Sequence, residues 1–271
     1  MSTRRVRLDS LLAERGLYPS RSSAAVAVMA GEVGVGAGER RAQRPSELVS
    51  VDEPIAVRAG RSYVSRSGIK LANALAASSL DVTGRRALDV GASTGGFTDC
   101  LLRHGAASVV AVDVGYGQLD WGLRNDARVS VIERTNARAL TLAMLPGQAP
   151  VEVATIDVSF ISLTKVLPAV LGCVTTTYDV LALVKPQFEV GRKLASKGRG
   201  VVRDPDDRRA ALVSVGETAL GLGASVLGYH SSGLPGPKGN LETFAHLAEP
   251  SRAGGAAGIE ELELMARMVE P

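Results

Sequence analysis

The 271-residue sequence is poor in the residues that build metal sites and disulfide frameworks, with two cysteines and three histidines. Cys100 and Cys173 form no CxxC, and His104, His230 and His246 are scattered, so no metal site is expected. Cysteines this far apart in apolar surroundings read as small core residues of a protein kept in a reducing cytoplasm. Aromatics make up only 4% of the chain, which leaves few stacking platforms for single-stranded nucleic acid. A long hydrophobic run is also missing. The nearest approach, Val166 to Val184, is broken by Pro168 and Asp179 and carries three threonines. A membrane span needs about 20 apolar residues, so a helix followed by a strand explains this stretch better. The basic start, MSTRRVRLDS, has no apolar segment behind it and is not a secretory signal. A soluble cytoplasmic protein with no membrane partner is expected.

What is present is a globular composition, 45% hydrophobic and 22% charged, with a net charge of +3. The length has room for one large domain and a small one. Residues 1–59 read as the small α+β unit. The apolar spacing of VRLDSLLAERGL predicts one helix stopped at Gly16, and SRSSAAVAVMAG a second, capped by Ser20 and ended at Gly31. EVGVGAG and ELVSVDEPIAVRAG alternate like strands of a small hairpin sheet. Residues 60–66 join this unit to a large domain, 67–271. There, strands are predicted at 87–90, 109–113, 129–133, 151–157, 180–184, 224–229 and 242–247. Helices are predicted at 71–79, 97–104, 162–172, 205–221 and 258–268. Strands alternating with helices argue for an α/β fold, a seven-stranded, mostly parallel, Rossmann-like sheet covered on both faces.

The stretch ALDVGASTGGFTDCLL reads as a buried strand, a glycine turn and a helix start. Backbone can approach a ligand closely there, and free N–H groups face it. Glycines at 91, 95 and 96 miss the dinucleotide G-x-G-x-x-G, and no G-K-[ST] is present after them for a triphosphate. Asp113 closes the second strand, where a carboxylate takes both hydroxyls of a ribose. S-adenosylmethionine (AdoMet) fits a nucleoside without a pyrophosphate, the alternative being a generic nucleotide fold with Asp113 as a strand cap. The candidate cofactor residues are Gly91, Ala92, Ser93, Gly95, Gly96 and Phe97, then Asp113 and Val114, Asn136 for the adenine, and Asp157.

The acceptor atom is narrowed by the residues at the end of the fourth strand. IDVSFIS has no [Asn/Asp]-Pro-Pro-aromatic loop for base amines, and neither cysteine is placed for attack on a pyrimidine carbon. Asp157 ends the fourth predicted strand and Lys185 the fifth, while Lys70 opens the first helix and Glu242 the last strand. A lysine beside a sulfonium, with its pKa lowered by like charge and desolvation, can serve as base towards a hydroxyl. Four ionisable groups at one sheet edge form the candidate catalytic set.

The motifs SRSGIKL, LDVGASTGGFTD, AVDVGYGQLDW, ERTNAR, DVSFISL, LVKPQFE and GPKGNLE resemble the TlyA family of ribosomal RNA ribose methyltransferases, also filed as haemolysin A. The large domain is similar to the FtsJ class of 2′-O-methyltransferases, and the N-terminal unit resembles the RNA-binding module of ribosomal protein S-four. The family's Lys-Asp-Lys-Glu set falls on Lys70, Asp157, Lys185 and Glu242. The resemblance implies AdoMet as donor and cytidine 2′-hydroxyls of 16S and 23S rRNA, within ribosomal subunits, as acceptors. It also implies a contribution to sensitivity towards capreomycin and viomycin. Arg4, Arg5, Arg7, Arg15 and Arg21 stand against Asp9 and Glu14, and residues 185–199 hold five cations against Glu189. Arg4, Arg5, Arg7, Arg21, Arg66, Arg192, Lys193 and Lys197 are the candidate phosphate contacts, in recognition of folded RNA shape. Alternatives are membrane lysis, as the second family name suggests, an RNA- or nucleotide-binding protein without chemistry, and a base-directed methyltransferase.

Overall fold

A computed structural model describes residues 4–18, 20–38, 40–57, 63–191, 198, 200–256 and 258–270. The chain divides into two units, Met1–Arg66 and Ser67–Pro271. In the first, β1 (Arg5–Arg7) runs straight into α1 (Leu8–Glu14), and α2 (Arg21–Ala30) comes next. Leu8, Leu11 and Leu12 share the buried face of α1. At the start of α2, the Ser20 hydroxyl accepts the Ser23 N–H and Ser23 Oγ accepts the Ser20 N–H, a reciprocal cap. Gly31 ends the helix in the left-handed region at φ 77°. Four short strands complete the unit: β2 (Val33–Val35), β3 (Arg40–Arg41), β4 (Leu48–Ser50) and β5 (Ile55–Val57). The hairpin sheet expected from the sequence is instead two sheets. β4 pairs antiparallel with β1, and β2 lies between β3 and β5. β1 escaped prediction because Arg-Val-Arg offers a single apolar residue to the period-two pattern.

The second unit runs α3 (Arg66–Ser78), β6 (Arg86–Val90), α4 (Gly96–Arg103), β7 (Ser108–Val112), α5 (Trp121–Arg124), β8 (Val129–Ile132) and β9 (Val151–Ile156). It continues with α6 (Leu167–Leu171), β10 (Val174–Val184), α7 (Pro186–Glu189), α8 (Pro205–Gly221), β11 (Ser225–Ser231), β12 (Thr243–Ala248) and α9 (Ile259–Val269). One seven-stranded sheet has the order β11-β12-β10-β9-β6-β7-β8. β8, β7, β6, β9 and β10 are parallel, and β12 enters antiparallel to both β10 and β11. Chain order reverses at β6, with β7 on one side and β9 on the other, and ligand crevices open at the carboxyl ends of strands at such a point.

Three differences from the predicted elements bear on the site. α3 begins at Arg66 rather than at residue 71, and Gly68 is buried inside it. Lys70 therefore lies in the second turn of α3 rather than ahead of it. The helix predicted over 162–172 is a 3-10 turn, Leu163–Lys165, followed by α6 with Pro168 in its first turn. α5 and α7 were not predicted, since four-residue helices carry too little periodicity. Both cysteines are buried and neither is in a disulfide.

Candidate active site

The turn after β6 is shaped by what it touches. Gly91 has φ 88°, and a Cβ there would stand 2.5 Å from Asp157 O, so no side chain fits. The N–H groups of Gly91 and Ala92 both donate to Val112 O, at 2.8 and 3.1 Å, pinning the turn to β7. Gly95, at φ 96°, lies against Leu119 and Leu123 in the same way. α4 then starts at Gly96, and its first-turn N–H groups have no helix carbonyl ahead of them. The ring of Phe97 turns away into the core, 5.7 Å from Phe244, leaving only its backbone to the turn.

Asp113 comes directly after β7. Its Oδ2 accepts the Ser93 N–H at 2.8 Å and its Oδ1 the Gly115 N–H at 2.6 Å. A carboxylate has about four lone-pair sites, so two remain for the vicinal hydroxyls of a ribose. The cleft beside it is lined by Ala92, Ser93, Asp113 and Gly115, with Gln118, Leu119, Val131 and Glu133. Asn136 is not among these residues, and its Oδ1 accepts the Arg138 N–H and caps a 3-10 turn. The residue from that strand end lining the cleft is Glu133, and the sequence signal for it was available, because it stands just after β8 as Asp113 stands just after β7. Val114 is 73% exposed. A nucleoside with a charged tail fits this combination of ribose acceptor, glycine cradle and helix start.

The four candidate catalytic groups form two ion pairs on neighbouring strand ends. Lys70 Nζ lies 2.5 Å from Glu242 Oε2, both side chains buried. Lys185 Nζ lies 2.6 Å from Asp157 Oδ1 and donates to Ser159 Oγ at 3.1 Å. The Asp157 contact is a charge contact, and Oδ1 accepts no directed hydrogen bond. The sheet brings the pairs to one edge. Val184 of β10 pairs with Thr243 of β12, so Lys185 and Glu242 are the next residues of those two strands. The Asp157 N–H donates to Val90 O at 2.9 Å, which joins this edge to the glycine turn. Asp89, just before that turn, is fully buried with Thr98 Oγ1 donating to its Oδ2 at 2.7 Å. Burial pushes its pKa up to about 7, the Thr98 bond opposing and the Asp157 and Asp113 charges reinforcing.

A family model for FtsJ-like methyltransferases matches residues 63–248. The chain belongs to the FtsJ-like methyltransferase family. This methyltransferase is 48% identical, over 95% of its length and 96% of the relative's, to a protein of Mycobacterium tuberculosis named 16S/23S rRNA (cytidine-2'-O)-methyltransferase TlyA. It is 39% identical to a Brachyspira hyodysenteriae protein named Hemolysin A, over 89% of this chain and 99% of that one. A solved Streptococcus thermophilus structure that carries the name hemolysin superimposes with a TM-score of 0.70 at 38% identity, covering 98% of this chain and 97% of that one.

Two aromatic rings of the methyltransferase border the Lys185 edge, and the sequence reading missed both. Phe160 is 92% exposed and sits at φ 64°, a left-handed conformation unusual for a bulky side chain. Its ring lies 5.3 Å from that of Phe188 in α7. Their spacing of three residues beyond Asp157 and Lys185 was the signal. Among the basic candidates, Arg4 and Arg5 are exposed. Arg7 and Arg21 are exposed as well but share Asp9, at 2.6 and 3.7 Å. Arg15 is tied to the carbonyls of Val51 and Glu53. Arg66 opens α3 and is half-buried. Arg192, Lys193 and Lys197 lie outside the described residues. No helix among the described residues is long and apolar enough to cross a membrane.

Proposed function

We propose that this methyltransferase carries a methyl group from AdoMet to the 2′-hydroxyl of cytidines in 16S and 23S rRNA, acting on ribosomal subunits, and that the modification contributes to capreomycin and viomycin sensitivity. The observation that carries the reading is the Lys185–Asp157 contact beside the glycine turn. The printed name of the Mycobacterium tuberculosis relative supports the same substrate class. When bound, AdoMet supplies an electrophilic methyl group. Asp113 would hold its ribose and the turn from Gly91 to Phe97 its amino-acid end, with Val114 and Asn136 beside them.

As an ammonium, Lys185 has three N–H donors. Ser159 engages one and the Asp157 charge holds the ammonium in place, so a donor is left for the 2′-oxygen, which aligns that oxygen for in-line attack. The proton the hydroxyl releases passes to the Asp157 carboxylate, where the sequence had suggested Lys185 as the base. Lys70 and Glu242 hold the neighbouring strand end rigid and fix the ribose. The Phe160–Phe188 ring pair offers a face for a nucleobase taken out of its stack. Arg4, Arg5, Arg7, Arg21 and Arg66, with Arg192, Lys193 and Lys197, meet phosphates of the folded rRNA.

The test is methyl incorporation from labelled AdoMet into purified, unmodified small and large subunits. Wild type should yield 2′-O-methylcytidine from both. Lys185→Ala should lose turnover and keep AdoMet affinity, and Asp113→Ala should lose affinity first. Label recovered as a methylated base, or AdoMet binding lost in Lys185→Ala, would overturn the assignment.

A further inference from the structure

Two loops leave the sheet side by side, 157–163 after β9 and 185–190 after β10. The last paired residues of the two strands are Ile156 and Ala182, so the ladder does not hold the loops beyond that point. Yet the contacts between them are the ones on which the Lys185 half of the site depends. Lys185 meets Asp157 at 2.6 Å and Ser159 at 3.1 Å, and the rings of Phe160 and Phe188 stand 5.3 Å apart. Phe160 also holds a left-handed backbone, φ 64°, which persists only where its flanks over-determine it.

A further connection between the loops is Glu189, the last residue of α7. Its Oε2 accepts from Ser162 Oγ at 2.5 Å and its Oε1 from the Leu163 N–H at 2.9 Å. Both carboxylate oxygens are thus spent on the opposite loop, two and three residues beyond Phe160. Ser162 in turn accepts the Thr164 N–H and caps the 3-10 turn Leu163–Lys165, so the fastening reaches a fixed element. Glu189 itself is half-buried, and burial raises its pKa against the pull of the two hydrogen bonds.

We propose that Glu189 is a positioning residue for methyl transfer: its carboxylate fastens the loop after β9 to the loop after β10 and so sets Lys185 against Asp157. The inference rests on the roles given above to Lys185 and Asp157. Glu189 is not among the residues that line the cofactor cleft, and Asp113 stands on another strand.

The experiment uses the full chain with Glu189→Ala, Glu189→Gln and Ser162→Ala. Displacements of about 1 Å at such a site cost on the order of 100-fold in rate. Glu189→Ala should therefore lower kcat roughly 10- to 100-fold on ribosomal subunits while AdoMet affinity stays within about twofold. Glu189→Gln, whose carbonyl can take the Leu163 N–H and whose amide can meet Ser162, should recover most of kcat. Ser162→Ala removes one of the two bonds and should show a smaller loss of the same kind. Full kcat in Glu189→Ala, or an unchanged Ser162→Ala if Glu189→Ala does not fold, overturns the proposal. So does a Glu189→Gln as poor as the alanine variant. A substrate-free readout separates this from failure of the rRNA reading. The nuclear Overhauser contact between the Phe160 and Phe188 rings should be present in wild type and Glu189→Gln and lost in Glu189→Ala. Its persistence in a folded Glu189→Ala overturns the fastening even if wild type methylates neither subunit.

Discussion

Asp89 shows how much a single residue can hide. In the sequence it is one letter of LDVG, and its position before the turn says nothing of its ionisation. In the fold it is fully buried, one oxygen on Thr98 and the other without a partner, and its pKa rises to about 7. A carboxyl whose folded pKa exceeds its unfolded value binds its proton more tightly in the native state. Its contribution to stability is complete below the unfolded value of 3.8 and is lost as pH rises through about 7. Wild type should therefore lose stability relative to Asp89→Asn between pH 5 and pH 8, by at most about 3 kcal/mol. Urea unfolding of both proteins at the two pH values measures it. A parallel pH response would mean that Asp89 ionises normally. At the same scale, Asp179 behaves in the opposite way. Burial alone would raise its pKa, but His246 and Arg85 overcome that and hold it at about 2, so its stabilisation is present above the unfolded value and is lost as pH falls through about 2.

At the scale of elements, local chemistry decided where most helices and strands lie. The seven strands of the large sheet all fall where alternating and continuous apolar runs predicted them, within a few residues, apart from β10. Its threonine-rich start pairs with β9 through a register shift between Val174 and Asp179, which no local pattern announces. α2 is the case where sequence alone was sufficient, since Ser20 and Gly31 are its cap and stop in both reading and structure. Ser20→Ala should lower the stability of the first unit by about 1 kcal/mol. Ser20→Asp should cost far less, because a carboxylate at the cap accepts the same N–H and favours the helix dipole. Thermal unfolding of the three proteins compares them, and equal losses for both variants would show that the hydroxyl is not the cap that matters. α3 is the reverse case. Its start was predicted at residue 71, and the structure runs the helix from Arg66 through the buried Gly68, which carries Lys70 inward.

For the whole molecule, the division into two units separates the candidate cofactor cleft from Arg4 and Arg5, two exposed arginines of the first unit that form no ion pair among the described residues. If these two neutralise phosphates, each alanine substitution should reduce the slope of log affinity against log salt by just under about 1, and AdoMet affinity should not change. Filter binding of ribosomal subunits across a salt series, with calorimetry for AdoMet, reads both. Arg7 and Arg21 should matter less, because they share Asp9.

The sequence by itself determined the order of elements, the glycine turn and the acidic residue at the end of β7, because each is written within a few neighbouring residues: apolar period, small residues at a turn, a carboxylate at a strand end. It also placed four ionisable groups at one sheet edge. Which of them meet was decided only by tertiary structure. Lys70 and Glu242 are 172 residues apart, and their contact depends on β12 entering antiparallel beside β10. The Glu189 fastening and the left-handed Phe160 were equally illegible, since each is held by a loop on a neighbouring strand. Local propensity selects elements, while contacts between loops depend on strand order, which arises only when the sheet is assembled.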